Sequence, residues 1–173
     1  MSPPQINYLI PEDAALGLTL VIVETGGQEV ARGTVRIHAV APSLFTANVS
    51  GQGVAAALAL HVAADLTQTI RLIYDDTAPL GSREGLPIDL GSEEEQVFLV
   101  LFGTGMRGFT TGATVTVGGE AVAVADLLAQ PDFVGLDQAN LGSLPRSLIG
   151  RGVINILLTV DGKTANTVTV NIQ

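Results

Sequence analysis

Residues 103–108 read Gly-Thr-Gly-Met-Arg-Gly, the G-x-G-x-x-G spacing that lets a backbone wrap a pyrophosphate. That chemistry needs more than glycines. A helix must begin inside the motif and aim its free N–H groups and dipole at the phosphates. An apolar run does precede the motif, but Phe109-Thr110-Thr111-Gly112-Ala113 and a period-two pattern follow it. The expected role of the motif is a bend or β-bulge.

The two histidines, His38 and His61, each sit in a strand-like run with no second ligand type nearby in sequence. They are expected as exposed or hydrogen-bonded strand residues, not as metal ligands or triad members. No G-x-S-x-G elbow occurs, so serine hydrolysis lacks its local signature. Asp75-Asp76, Asp89 with Glu93-Glu94-Glu95, and Asp132 with Asp137 read as loop carboxylates. Calcium takes such oxygens, but none of these groups has the spacing and central glycine of an EF-hand loop. Sugar stacking needs exposed aromatic faces. Trp is absent, and Phe45, Phe98, Phe102 and Phe133 are expected in the core. Gln5, Asn7, Gln138 and Asn140 recur at matched places, and the expected duty is side-chain amides bonding backbone where a strand starts. No residue is assigned as catalytic, cofactor-binding or metal-ligating, and no cofactor is assigned; calcium stays as the alternative.

These residues need elements to position them, and composition bounds which. The 173 residues are 47% hydrophobic and 14% charged, enough apolar content for a substantial core. Val, Leu, Ile and Ala alternating with Thr and Gly suit strands. A net charge of −9 disfavours nucleic acid and anionic membrane surfaces as partners. The absence of cysteine excludes disulfides and thiol catalysis. No run reaches the ~18–20 apolar residues that span a bilayer. The opening Met-Ser-Pro-Pro has no basic region and no apolar stretch, so no signal peptide is read in it; if the protein is exported, its signal is expected upstream or already removed.

Strand-like runs recur roughly every ten residues with turn residues between them, the spacing of a sandwich. Strands are expected over 5–10, 18–24, 30–40, 67–74, 96–102, 113–117, 120–125, 133–141, 153–160 and 164–172. Residues 54–62 could be helix or strand, with flanking glycines favouring strand. Residues 127–131 read as one helical turn. Gly26-Gly27, Gly118-Gly119 and Asp161-Gly162 supply the positive φ that tight hairpins require.

One pattern is used twice. From Leu16 and from Arg151 the chain aligns with itself without a gap for 22 positions. Gly17, Gly27, Thr34, Val35 and Ile37 match Gly152, Gly162, Thr169, Val170 and Ile172. Self-similarity of this kind marks a repeated supersecondary unit. The second copy has strand-like sequence in front of it and the first has almost none, so the chain is expected to begin inside a module.

GTGMRG after an apolar strand, then VTVGG, FVGLDQANL, LIGRG and LTVDGKTANTVTVNI, together resemble an uncharacterised domain at the C-termini of large exported proteins of Acidobacteria, the Solibacter-type C-terminal domain. PSLFTANVSGQG and the Pro-Gln-Ile-Asn start are similar to that family too. More distantly, the order of strand, G-x-G, V-x-V-G-G and terminal hairpin resembles immunoglobulin-like IPT/TIG modules. The resemblance implies an extracellular, all-β module of a larger protein and brings no catalytic residues.

The expected architecture is all-β: tandem immunoglobulin-like β-sandwich units, the N-terminal one incomplete. Residues 1–41 would hold its last strands, 42–85 a connecting β segment that could complete it, and 86–173 a complete IPT/TIG-like domain. The expected function is a non-catalytic extracellular or cell-surface structural and interaction module. Its partner would be another protein or further copies of itself, joined through exposed strand edges and, if head-to-tail, into a filament. No membrane insertion is expected. The alternative is a spacer or a calcium- or glycan-binding domain of a larger surface adhesin or enzyme.

Overall fold

The structure, a computed structural model, describes residues 6, 8–11 and 13–173. They divide into two compact units, residues 1–39 and 40–173. Among the described residues all regular structure is β, apart from two short 3-10 turns at Leu80–Ser82 and Arg146–Leu148. In chain order the strands are β1 (Gly17–Thr25), β2 (Gln28–Ile37), β3 (Ser43–Leu44), β4 (Ala57–Val62), β5 (Gln68–Leu72), β6 (Pro87–Ile88), β7 (Gln96–Thr104), β8 (Ala113–Val117), β9 (Glu120–Val122), β10 (Val124–Ala129), β11 (Asp137–Ser143), β12 (Gly152–Val160), β13 (Lys163–Thr164) and β14 (Val168–Ile172).

The first unit is a lone antiparallel hairpin, β1 with β2. Gly26 and Gly27 turn it with φ of 60° and 78°, conformations that cost other residues dearly. Among the described residues of 5–10, Ile6, Tyr8, Leu9 and Ile10 form no strand, contrary to the expectation, and Pro11 lacks the N–H a ladder would need. Gln5 and Asn7 lie outside the described residues.

The second unit is built from two sheets. One runs β10-β11-β7-β4-β5, with β3 also on β7; the other runs β6-β14-β12-β8-β9, with β13 also on β12. Strict alternation explains how they meet. Val97, Leu99 and Leu101 of β7, Ala57 and Ala59 of β4, and Ala139 and Leu141 of β11 bury one face of the first sheet. Val115 and Val117 of β8, Ile156, Leu158 and Val160 of β12, and Val168, Val170 and Ile172 of β14 bury one face of the second. All belong to one hydrophobic core.

Residues 42–85, read as a connecting β segment that could complete the first unit, lie within the second compact unit. β3 and β4 both pair with β7, and β5 pairs with β4. The compact boundary falls between Ala39 and Val40, not near residue 85. The cause lies in β7: its QVFLVLF run is apolar on both faces, and β4 offers small alanines on the side that must approach the opposing sheet.

Residues 124–129, expected to end in a helical turn, are strand β10, because pairing with β11 overrides the local helix preference of Leu and Ala. The expected strand over 133–141 starts only at Asp137; 131–136 is a turn held by Gln130, whose Oε1 accepts from Asp132 N and Phe133 N. The expected strand over 164–172 is split. In the break, residues 165–167, Asn166 serves another segment: its Oδ1 accepts from Leu44 N (2.8 Å) and Ser43 Oγ (3.0 Å), while its Nδ2 donates to Leu44 O (2.9 Å) and Gly51 O (2.8 Å).

The repeat has a structural counterpart. Gly17 pairs with Ile37 and Val21 with Gly33; at matching positions Gly152 pairs with Ile172 and Ile156 with Val168. At the turn end, Thr25 pairs with Gln28 as Val160 pairs with Lys163. Every pairing of β12 with β13 and β14 recurs between β1 and β2. The first copy stays continuous because Ala31 stands where the second has Asn166.

Candidate functional site

The glycine motif lies at the end of β7 and is gripped from both sides. A side chain at Gly103 would overlap the Ser43 carbonyl, and one at Gly105, whose φ is +70°, would overlap the Ala41 carbonyl. Ala41 N–H in turn donates to Gly105 O at 2.9 Å. On the other side Asp137 accepts from Met106 N (2.9 Å) and Arg107 Nε (2.6 Å). Asp137, expected as a loop acid, is the first residue of β11 and only 2% exposed. A carboxylate thus holds the amide that a phosphate would have used. The glycines allow close backbone packing, and no helix begins in the motif.

Asp161, in the Asp-Gly turn of the second repeat copy, accepts hydrogen bonds from the backbone of Thr110, Thr111 and Gly112 and from the hydroxyls of Thr110 and Thr111. The Thr111 hydroxyl first, then the Thr110 and Thr111 amides, hold its carboxyl far below the usual carboxylate range. A pKa lower in the folded state contributes stability above the unfolded value, about 3.9, and loses it as pH falls toward the folded one. Asp161→Asn is expected to lower the melting temperature at pH 7. The gap from the parent should narrow as pH drops below about 4. Melts at pH 7 and pH 3 check this; a gap of the same size at both would remove the charge from the account.

Chemistry-bearing side chains converge in one place. A cleft of about 240 Å³ is lined by His61, Thr67, Thr69, Arg71, Asp89 and Glu95, and a hollow of about 210 Å³ beside it shares His61, Arg71 and Asp89. His61 lies on β4 opposite Thr69 and Val97. Partial burial, then the Arg71 charge, holds its imidazole below the ordinary value, while Asp89 and Glu95 pull the other way. The acids are committed to their own loop: Asp89 accepts from Gly91 N and Glu95 from Ser92 N. Among the described residues no three His, Cys, Asp or Glu side chains are placed to hold a metal ion.

The remaining candidates do not join this cleft. His38, expected within a strand, follows the end of β2 and is exposed. Asp75 accepts from Thr77 N and its hydroxyl, and Asp132 from Gln130 Nε2, each inside its own loop. Gln138 donates to the Asn140 side chain at 2.7 Å, so this amide pair bonds side chain to side chain, not to backbone as expected. The two alternate on one face of β11, which brings them together. None of the five phenylalanines is in the core. Phe45, Phe109 and Phe133 are exposed, and Phe98 and Phe102 project from the outer face of β7, where they alternate with the buried Val97, Leu99 and Leu101.

Two apolar surfaces were hidden in the sequence by the assumption that apolar means buried. The outer face of the first sheet carries Leu58, Leu60, Ile70, Phe98, Val100 and Phe102 as cross-strand neighbours. The outward positions of the second sheet are more mixed: Thr114, Thr116, Asn155, Thr169 and Asn171 lie among Val153 and Leu157. The other surface is the hairpin of the first unit. On one side it exposes Leu18 (69%), Leu20 (51%) and Ile22; on the other, Val21, Val23, Val35 and Ile37 are half-buried. Among the described residues no third strand pairs with either of its edges. No family model, curated protein or solved structure matches the chain.

Proposed function

We propose that the chain is a non-catalytic structural and interaction module, displayed outside the cell, whose N-terminal hairpin is completed by strand addition from another polypeptide. The observation that carries the reading is this two-stranded sheet: Val21, Val23, Val35 and Ile37 lie on one face, Leu18, Leu20 and Ile22 lie beside Arg36, Thr34 and Arg32 on the other, and both outer edges are unpaired among the described residues. An isolated two-stranded hairpin is marginally stable in water, and three strands with an apolar face are the smallest arrangement that stands alone. Free N–H and C=O groups along β1 and β2 are a template for a further strand. The extracellular setting rests on the resemblance to exported domains, and the apolar outer face of the first sheet suits a module that works by contact.

Lacking a better donor, hairpins of separate copies are expected to pair edge to edge. The weight-average mass in sedimentation should therefore rise with concentration, and amides of β1 and β2 should exchange far faster in dilute solution than those of β7 and β12. Slow exchange along β1 in a dilute monomer would overturn the reading, since the edge would then be closed without a second chain.

A further inference from the structure

We propose that the strand received by the hairpin is an antiparallel neighbour of β1 with the chemistry of β8: small β-branched apolar residues facing inward, alternating with threonine. This rests on the strand-addition reading and names its partner. The second repeat copy supplies the evidence. Its hairpin has the register of the first, and its β12 edge is occupied. There Val117 sits opposite Ile156, Thr116 opposite Leu157 and Val115 opposite Leu158. The positions that match Ile156, Leu157 and Leu158 are Val21, Ile22 and Val23.

The faces correspond as well. Ile156, Val170 and Ile172 point into the core of the second unit and are buried. Their counterparts Val21, Val35 and Ile37 share one side of the hairpin, because directly paired residues lie on the same side of a sheet. A donor strand placing valines opposite Val21 and Val23 extends that apolar side across a third strand. Threonine opposite Ile22 would fall on the outward side, where β-branched residues favour the extended backbone at little cost in solubility. In a second copy of this chain, β8 is itself held between β12 and β9, so the donor is a segment of a different polypeptide.

The experiment uses the full chain and a synthetic peptide of residues 111–118 with two added terminal lysines. A control peptide carries Val115→Asp and Val117→Asp. The first peptide is expected to slow exchange of the outward-facing β1 amides at least ~10-fold and to shift self-associated chain toward a one-to-one complex. A spin label on the peptide N-terminus should broaden signals near Thr25 and leave Gly17 sharp, since Ala113 pairs with Val160 in the second copy. The control should do none of this. Equal effects from both peptides, or broadening at Gly17, would overturn the assigned chemistry and register. Failure of both peptides while hairpin-dependent self-association persists would overturn this inference and leave strand addition standing. Failure of both with β1 already protected in the dilute monomer would overturn the two together.

Discussion

Gly105→Ala is expected to destabilise the second unit by ~3–5 kcal/mol, among the largest effects a single substitution produces. Two costs combine. At a φ of +70° any side chain other than glycine's is strained, by ~1–3 kcal/mol. The new methyl group also meets the Ala41 carbonyl. That carbonyl has little room to retreat, because the same residue donates its N–H to Gly105 O. For a unit of this size the melting midpoint should fall by roughly 10 °C or more. Gly119→Ala is the matched control: its φ is +85° and nothing stands within 4 Å of a methyl group there. It should show the conformational cost alone. If thermal melts give the two variants equal losses, close packing of 41–44 against the motif is not what the glycine serves.

Asp137→Ala should cost ~3 kcal/mol, the range for breaking a buried, hydrogen-bonded charge pair. The carboxylate is buried, and so is Met106, whose amide would lose its acceptor without gaining water. The Arg107 contribution is smaller, because that side chain is 39% exposed and water can screen and solvate it. Asp137→Asn keeps one acceptor oxygen and should fall between the alanine variant and the parent. Urea unfolding of the three proteins orders them; an asparagine variant as unstable as alanine would mean that charge, not the Met106 bond, dominates. Combined with Gly105→Ala the loss should be less than the sum, since both act through one loop.

Much of this loop is legible in the sequence. Glycines after an apolar strand with no helix to follow point to a bend. What the residues could not disclose was which distant segments press on it, since Ala41, Ser43 and Asp137 reach it only through pairing of β3 and β11 with β7. The hairpins were readable from alternation and from Gly-Gly and Asp-Gly pairs, because turn chemistry is local. Strand β10 was not, since Ala and Leu prefer helix until β11 lies beside them. The break at Asn166 was equally hidden: its four hydrogen bonds go to residues 43–51. The surface phenylalanines were misjudged for a related reason. Hydrophobicity alone does not say which face of a strand looks inward when both faces are apolar, as on β7. The cleft around His61 needed the β4–β5 and β4–β7 registers to bring its lining together.

Asn166 also has a kinetic meaning. Its amide closes a loop to Leu44 across 122 positions of sequence, and the β4–β5 hairpin must find β7 across the intervening residues 73–95. Entropy spent on such closures is recovered only late, so this topology belongs with chains that fold in ~milliseconds to seconds. While that search runs, the paired strands of the N-terminal repeat, being contiguous, can already have zipped within ~10 μs. The newborn polypeptide would then sample a paired but open-edged hairpin before its larger neighbour has closed, so that under the proposed strand addition docking can begin early in the life of the molecule.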